Sequence, residues 1–332
     1  MSPFERLHDE LPGFDRVPPG LPLVAALTGF RDAGGVVHQV SDVLLDVEQQ
    51  ETVVAFDADV LIDYRARRPT VLIDAGRIQA LTMPRLDIRL LRDELGAPFL
   101  FLSGYEPDYR WEQFADEVAA LAAALQVSTT TWIHSMPMPV PHTRPIRISA
   151  TGNRTELVEA ISVWSPTTEG PAHALHLVEH RLAERGHPVA GLVMLVPHYV
   201  ADAPVPGAGL AALAAIGTAT DLMLPTEPLR EKERDFVRRV DEQVAESEEV
   251  QRLIEALERQ HDAYLESLPQ GGGLADANGE LPSADEIAAE LERFLAVRGR
   301  HEAEEGRDGR DGRGDGPGRT NRPWGLDDDE RR

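Results

Sequence analysis

The sequence contains no cysteine, and Lys232 is the only lysine among its 332 residues. The absence of cysteine excludes disulfide bonds, thiolate catalysis, and zinc or iron–sulfur sites built on cysteine. The chain also lacks an uncharged apolar run long enough to span a bilayer, and its N-terminal segment has no basic region followed by an apolar one. The lack of a spanning run and of a signal-like N-terminal segment predicts a soluble cytoplasmic protein.

The charge balance is strongly acidic, with 33 basic and 57 acidic residues and a net charge of −24. Such a charge repels nucleic-acid phosphates and anionic lipid surfaces, so we expect neither nucleic acid nor a membrane as a partner. Hydrophobic residues make up 42% of the chain, which is enough for a substantial core. The length predicts one α/β body with an appendage.

The pattern along the chain predicts four segments. Residues 1–20 are rich in proline and are expected to form an arm on the body. Residues 21–228 alternate short apolar runs with amphipathic stretches, which is typical of an α/β domain. Residues 229–298 are predicted to form a helical appendage, and residues 299–332 are predicted to be disordered. The alternating stretch from Leu86 to Leu90 and the stretch Phe99–Ser103, joined by a turn at Gly96-Ala97-Pro98, are predicted to form a hairpin inside an otherwise parallel sheet. The other candidate strands are Pro22–Leu27, Thr52–Phe56, Val71–Asp74, Thr129–His134, Ile146–Ala150 and Val189–Val196.

Helices are predicted from apolar spacing and from capping residues. Apolar residues recur at helical spacing from Trp111 to Leu125, and Asn153 with Glu156 resembles a capping box. A long surface helix is predicted over 229–268, although its apolar stripe loses its rhythm near Glu246. The irregular stripe does not support a coiled coil and favours packing against the body or a sister subunit. Because the stripe is longer than a body of this size needs to cover, we predict a homo-oligomer. A second capping box predicts a short helix after Ser283.

A glycine-rich loop, Gly29-Phe30-Arg31-Asp32-Ala33-Gly34-Gly35, lies between a predicted strand and a predicted helix. Free amide groups and a helix N-terminus at such a place favour an anion, and Arg31 could bind phosphate. The loop lacks the signatures of a Walker loop and of a dinucleotide fingerprint. The competing interpretation is structural, because glycine also permits a tight turn.

His198 and Tyr199 follow the strand that ends at Pro197, with Asp202 close by in the sequence. His198 could act as an acid or base and Tyr199 as a hydrogen-bonding group, or both could tie the loop to the sheet. Loops that follow parallel strands collect at the carboxyl edge of a sheet, so we expect the glycine-rich loop and this loop to line one crevice that holds a ligand or a partner.

Two further patterns have a structural and a functional interpretation. His142 and Arg144 follow a proline-rich stretch that predicts a rigid loop, suited either to partner docking or to a stiff connection. His176-Leu177-Val178-Glu179-His180 matches the H-x-x-E-H pattern of some zinc peptidases. On a helical projection, however, His173, His176 and His180 lie opposite the apolar stripe, so we expect a solvated helix face and no metal or other cofactor.

Four segments resemble the proteasome assembly chaperone 2 family: GLVMLVPHYVADAPVPGAGLAAL from Gly191, LPLVAALTGFRDAGGVVHQV from Leu21, SGYEP from Ser103, and PHTRP from Pro141. The resemblance implies a three-layer α/β/α sandwich with a mostly parallel mixed sheet, like that of phosphorylases and hydrolases. It also implies a non-catalytic, assembly-chaperone-like role with protein partners, proteasome-related ones among them. The chain ends in Glu330-Arg331-Arg332 and therefore lacks the hydrophobic–tyrosine–any tail of some members. The alternative is a phosphorylase- or hydrolase-like enzyme that binds phosphate or a nucleoside at the glycine-rich loop.

Overall fold

The main sheet contains eight strands in a mixed arrangement, seen in a computed structural model that describes residues 6–47, 49–162, 167 and 169–267. The strands of the chain are β1 (His8–Glu10), β2 (Leu23–Thr28), β3 (Glu51–Phe56), β4 (Thr70–Asp74), β5 (Arg77–Thr82), β6 (Leu86–Arg92), β7 (Pro98–Tyr105), β8 (Thr130–Met138), β9 (Arg147–Gly152) and β10 (Val189–Pro197). The order across the main sheet is β1-β3-β6-β7-β2-β8-β10-β9. The pairings β7–β2, β2–β8 and β8–β10 are parallel, and the pairings toward both edges are antiparallel.

Helices cover both faces of this sheet. They are α1 (Val36–Leu45), α2 (Ala58–Leu61), α3 (Trp111–Ala124), α4 (Thr155–Ile161), α5 (Ala174–Glu184), α6 (Pro206–Thr220), α7 (Glu227–Ala245) and α8 (Glu248–Ser267). The apolar faces of α3 and α5 pack on one side of the sheet, and those of α1, α6 and α7 pack on the other. The predicted three-layer α/β/α arrangement with a mixed sheet and C-terminal helices is therefore confirmed.

The predicted β6–β7 hairpin forms, but the sheet around it is not otherwise parallel, because the β1–β3, β3–β6 and β10–β9 pairs are antiparallel. The candidate strand in β4 does not join the main sheet. Leu86 pairs with Gly104 and Arg92 with Pro98 in an antiparallel ladder inside the main sheet. The candidate strand Val71–Asp74 does form, as part of β4, but among the described residues it pairs only with β5, in a separate two-stranded sheet. A short apolar run predicts that a segment is extended, but it does not predict which sheet the segment joins.

Two helix predictions need correction. The predicted capping box of α4 is absent, because the helix begins after Arg154 without a side-chain cap. Asn153 instead donates to the His187 carbonyl oxygen and accepts from the Val189 amide, both at 2.9 Å. The predicted single helix over 229–268 is two helices, α7 and α8. The helix is interrupted at residues 246–247, where the regular spacing of apolar residues is lost.

The N-terminal segment adds an edge strand to the sheet. β1 pairs antiparallel with β3, and the Leu7 side chain is completely buried. His8 and the Leu7 amide both bind the Glu117 carboxylate on α3. The predictions for residues 268–332, including the helix after Ser283 and the disordered tail, lie outside the described residues. Within the described part of the chain, no helix has both the length and the apolar character needed to cross a membrane.

Candidate functional site at the carboxyl edge of the sheet

The glycine-rich loop leads from β2 into α1, and its own aspartate occupies the helix N-terminus. The Asp32 carboxylate accepts from the amides of Val37 and His38 at 2.9 and 3.1 Å and from the Ser135 hydroxyl at 2.9 Å. The Arg31 side chain, by contrast, is exposed. The amides that could bind an external anion are thus used by a carboxylate of the chain itself.

The backbone of this loop is bonded to the loop that follows β10. The Gly34 amide donates to the Ala201 carbonyl oxygen at 2.6 Å, and the Val205 amide donates to the Gly34 carbonyl oxygen at 2.9 Å. Gly34 has a φ of 68°, and a Cβ at this position would approach the Val205 and Val196 side chains to about 3 Å. Gly35, at a φ of 58°, donates to the Asp32 carbonyl. The two loops therefore share one edge of the sheet, and their use as a ligand or partner crevice stays a prediction.

Tyr199 and His142, which lie far apart in the sequence, form one hydrogen-bonded chain with α7. The Tyr199 hydroxyl accepts from the His142 amide at 2.6 Å and lies 2.7 Å from its Nδ1 atom. The His142 Nε2 atom lies 3.2 Å from Asp241 on α7. Burial raises the pKa of Tyr199 to about 12, so this phenol is protonated at neutral pH. His198 is exposed, and its Nδ1 atom lies 3.3 Å from the Met138 carbonyl oxygen.

Arg144 binds α8. Its guanidinium group donates to Asp262 at 2.6 and 2.9 Å and to Glu258 at 3.1 Å. These bonds raise the pKa of Arg144, the contact with Asp262 contributing most. The proline-rich segment predicted as a rigid loop begins as strand, since Met136–Met138 belong to β8. The loop predicted as a partner surface is thus engaged by the C-terminal helices of the same chain.

A cluster of aromatic and imidazole rings lies on the α3–α5 side of the same edge, and the sequence analysis missed it. The Phe30 ring stacks on His134 with centroids 5.4 Å apart, and His134 lies 5.0 Å from His173. His173 is completely buried and caps α5, its Nδ1 atom accepting from the Leu175 amide at 3.1 Å. The expectation that His173 lies on a solvated face is therefore wrong, because the residue precedes the helix and does not follow its projection.

Both buried imidazoles are held neutral by their surroundings. Burial lowers the pKa of His134 to about 4 and that of His173 to about 3. His176 contributes to the lowered pKa of both residues, and His134 to that of His173, whereas Asp32 acts in the opposite direction on His134 and the Leu27 backbone does so on His173. Glu106 lies next to this cluster, accepts from the Ala174 amide at 2.7 Å, and has a pKa raised by burial.

The H-x-x-E-H segment does not have the geometry of a zinc peptidase. Glu179 accepts from the Trp132 indole at 2.7 Å and from the Thr151 hydroxyl at 2.9 Å, so it ties α5 to the sheet. His180 is exposed and lies 3.4 Å from Glu184. Among the described residues, no group of three histidine, aspartate or glutamate side chains is arranged to hold a metal ion.

A cavity of about 550 Å³ lies away from this edge, between the end of α1, the β6–β7 turn and the start of α7. Its walls include Val43, Val47, Pro225 and Pro228, and its carboxylates include Asp46. Lys232, the only lysine of the chain, also lines it.

Comparison with known proteins agrees with this architecture. The model of the PAC2 family matches residues 26–244. The chain belongs to the PAC2 family. A protein of unknown function from Corynebacterium glutamicum is 36% identical with a TM-score of 0.76, over 80% of this chain and all of that one. The unknown-function protein Rv2714 of Mycobacterium tuberculosis is 35% identical with a TM-score of 0.73, over 80% of this chain and 92% of that one.

A third similar structure carries a functional description. The proteasome-assembly chaperone homologue Rv2125 of Mycobacterium tuberculosis is 26% identical with a TM-score of 0.65, over 70% of this chain and all of that one. No curated protein matches the chain. The PAC2 match includes the glycine-rich loop, His142, Arg144 and Tyr199, but it ends before α8, so the α8 partners of Arg144 lie beyond it.

Proposed function

We propose that this PAC2-family protein is a non-catalytic, cytoplasmic protein that acts through protein–protein contacts in an assembly-chaperone-like role. The similarity to a proteasome-assembly chaperone homologue supports protein partners, proteasome-related ones among them. The alternative enzyme depends on free amides at the glycine-rich loop and the N-terminus of α1, and Asp32 occupies the Val37 and His38 amides at that N-terminus. The likeness to nucleoside phosphorylases remains an expectation from the family resemblance.

The observation that carries this proposal is the β4–β5 hairpin. Five of its apolar side chains are exposed by between 44% and 70%, namely Val71, Leu72, Ile73, Ile78 and Leu81. Val71 pairs with Leu81 and Ile73 with Ile78, so these four share one face of the hairpin and Leu72 lies on the other. Soluble monomers rarely expose apolar side chains in such a cluster, and an isolated two-stranded hairpin is only marginally stable in water. The hairpin therefore has the properties of a surface that another chain covers.

A second copy of the same chain is the partner that we propose for the hairpin. The protein has a net charge of −24, so two copies repel each other over most of their surfaces. The hairpin is an exception, because its only charged residues, Asp74 and Arg77, cancel. In addition, within the described part of the chain β4 and β5 pair only with each other, so each has an edge that can accept another strand. A homo-oligomer through this hairpin would leave the remaining surface for a client.

The test is the double variant Ile73→Glu, Ile78→Glu. We expect sedimentation to show an oligomer for the wild type at micromolar concentration and a monomer for the variant, because two added charges per copy would be placed in the contact. The melting temperature of the variant monomer should stay high enough for a folded protein, since these side chains lie outside the core. The matched control is Leu95→Glu, which changes a residue that is 78% exposed outside the hairpin and should leave the oligomer intact.

A monomeric wild type, or a double variant that assembles like the wild type, would contradict the oligomer. The client is tested separately by mixing the purified protein with proteasome α-subunits of its own source. The proposal requires a defined complex or a faster assembly of those subunits. Turnover of a phosphorylated or nucleoside substrate by the pure protein would instead support the enzyme alternative.

A further inference from the structure

The 550 Å³ cavity between α1 and α7 is lined by opposite charges that do not pair with each other. Asp46 and Glu94 contribute carboxylates to its walls, and Lys232 contributes an ammonium group. Within the described part of the chain, none of these three side chains has a hydrogen bond or an ion pair. The volume lies inside the range of about 300–1,000 Å³ that is typical of ligand pockets.

The acidic side of the cavity is the C-terminal end of α1. Asp42 lies in the last turn of this helix and Asp46 is its C-cap residue, and the last turn contains no basic residue. The C-terminal end of a helix carries a partial negative charge, which cations stabilise and carboxylates do not. The Asp42 carboxylate lies 3.6 Å from Nε2 of His38, an exposed pair that contributes little. An ammonium group in the cavity would therefore stabilise this end of α1.

The basic side of the cavity is the first part of α7. Lys232 lies one turn after Pro228, and both residues line the cavity. Arg92, at the end of β6, lines it too, and its guanidinium group donates to the Gly96 carbonyl oxygen at 2.8 Å. Neither Lys232 nor Arg92 forms an ion pair within the described residues. A carboxylate is the group that these two cations would bind.

A third wall of the cavity is fixed by Asp93. Its Oδ1 atom accepts from the amides of Leu95 and Ala97 at 3.0 and 2.7 Å, and its Oδ2 atom accepts from the Met223 amide at 2.9 Å. These bonds tie the β6–β7 turn to the segment that leads into α7, so the cavity exists before a ligand binds. Leu95 and Met223 beside this wall are 78% and 52% exposed, and Val47 lines the cavity itself. Apolar side chains of a ligand would have surfaces to contact here.

A ligand with a single charge would leave one sign of charge in this cavity without a partner. We propose that the cavity binds a short peptide with two free termini and apolar side chains, of about the size of a dipeptide. Its ammonium group lies at Asp46 and the end of α1, and its carboxylate lies at Lys232. Four carboxylates and two basic groups line the cavity, so the ammonium end of the ligand should contribute more to binding than the carboxylate end.

Leucyl-leucine and three matched compounds test the ligand class on the full-length protein. Acetylation removes its ammonium group, amidation removes its carboxylate, and glycyl-glycine keeps both charges without the apolar side chains. At about ten times its dissociation constant, leucyl-leucine should raise the melting temperature by roughly 3–6 °C. In titration calorimetry the amidated peptide should bind about five-fold more weakly, and the acetylated peptide and glycyl-glycine at least about ten-fold more weakly.

The matched compounds also distinguish a free peptide from the end of a partner chain. Equal affinity for the acetylated peptide would mean that the cavity recognises a carboxylate alone, as at the C-terminus of a partner. Equal affinity for the amidated peptide would mean that it recognises an ammonium group alone. Either result, or no binding of leucyl-leucine, would overturn the proposal.

The variant Lys232→Met tests the site itself. Because the side chain is exposed, the melting temperature of the unliganded protein should not change. The variant should bind leucyl-leucine about five-fold more weakly and should no longer distinguish it from its amide. The matched control is Arg238→Met, which removes an exposed charge further along α7, outside the cavity, and should bind like the wild type. If Lys232→Met keeps the full preference for the free carboxylate, Lys232 does not contact the ligand and the assignment is wrong.

Discussion

Replacement of Asp32 tests whether the glycine-rich loop is a structural cap or an anion site. The carboxylate holds two amides at the start of α1 and the hydroxyl of Ser135 on β8. In Asp32→Ala all three donors lose their acceptor. In Asp32→Asn one oxygen remains, and we expect it to keep the bonds that Oδ1 makes to Val37 and Ser135 while losing the bond to His38.

The expected magnitudes follow from these contacts. In free energy of unfolding, loss of a helix cap costs about 1 kcal/mol, and loss of a charged acceptor at a helix N-terminus adds up to about 1 kcal/mol. The Ser135 hydroxyl, left without its acceptor, adds about 1 kcal/mol. Asp32→Ala should therefore lower the free energy of unfolding by about 3 kcal/mol, which corresponds to roughly 6–12 °C in melting temperature for a domain of this size. Asp32→Asn should cost about 1 kcal/mol, and Ser135→Ala about the same.

Thermal and urea unfolding measure these changes, and phosphate distinguishes the two interpretations. Asp32→Ala leaves the α1 amides free, so phosphate should raise the melting temperature of this variant and leave that of the wild type unchanged. If Asp32→Ala costs less than about 1 kcal/mol, or if phosphate stabilises the wild type as strongly as the variant, the cap interpretation is refuted.

Two further outcomes are expected. The buried imidazoles of His134 and His173 have folded-state pKa values of about 4 and about 3, below the usual value near 6.5. Between these values the unfolded chain binds more protons than the folded chain. The free energy of unfolding should therefore fall as the pH drops from about 6.5 toward 4. His134→Leu should flatten this slope in acid-titrated unfolding curves, and an unchanged slope would show that other groups dominate. Arg144→Ala should speed amide hydrogen exchange in α8, because it removes the contacts to Asp262 and Glu258, whereas Arg252→Ala on the outer face of the same helix should not. Equal exchange in both variants would mean that apolar packing alone holds α8.

Local patterns in the sequence predicted the elements of the fold well. The apolar spacing from Trp111 to Leu125 produced a helix with the expected buried face, because the periodicity of a helix and the side it buries are both local properties. The hairpin that ends near Tyr105 followed from alternation and a Gly96 turn. Local patterns could not predict that β4 lies outside the main sheet, since the sheet that a strand joins depends on strands far away in the sequence.

The candidate site was less accessible to sequence reasoning. Tyr199 and His142 stood out individually, but nothing in the sequence links them to Asp241, whose contact depends on how α7 folds back. His173 was misplaced because a helical projection treats it as part of a helix that it only caps. The role of Asp32 had little local signal, because α1 begins at Val36 and its N-cap position is Gly35, whereas a capping aspartate usually occupies that position itself.

The position of Lys232 gives the chain a chemical property that is rare in a protein of this length. With one lysine and no cysteine, an amine-reactive dye attaches at Lys232 and at the α-amino group only, while a cysteine introduced at Leu72 on the β4–β5 hairpin would be the sole thiol. Lys232 is exposed on α7 beside the 550 Å³ cavity. Two dyes can therefore be placed selectively, one at the cavity and one on the hairpin, and energy transfer between differently labelled copies would report assembly without removing any native charge from the carboxyl edge of the sheet.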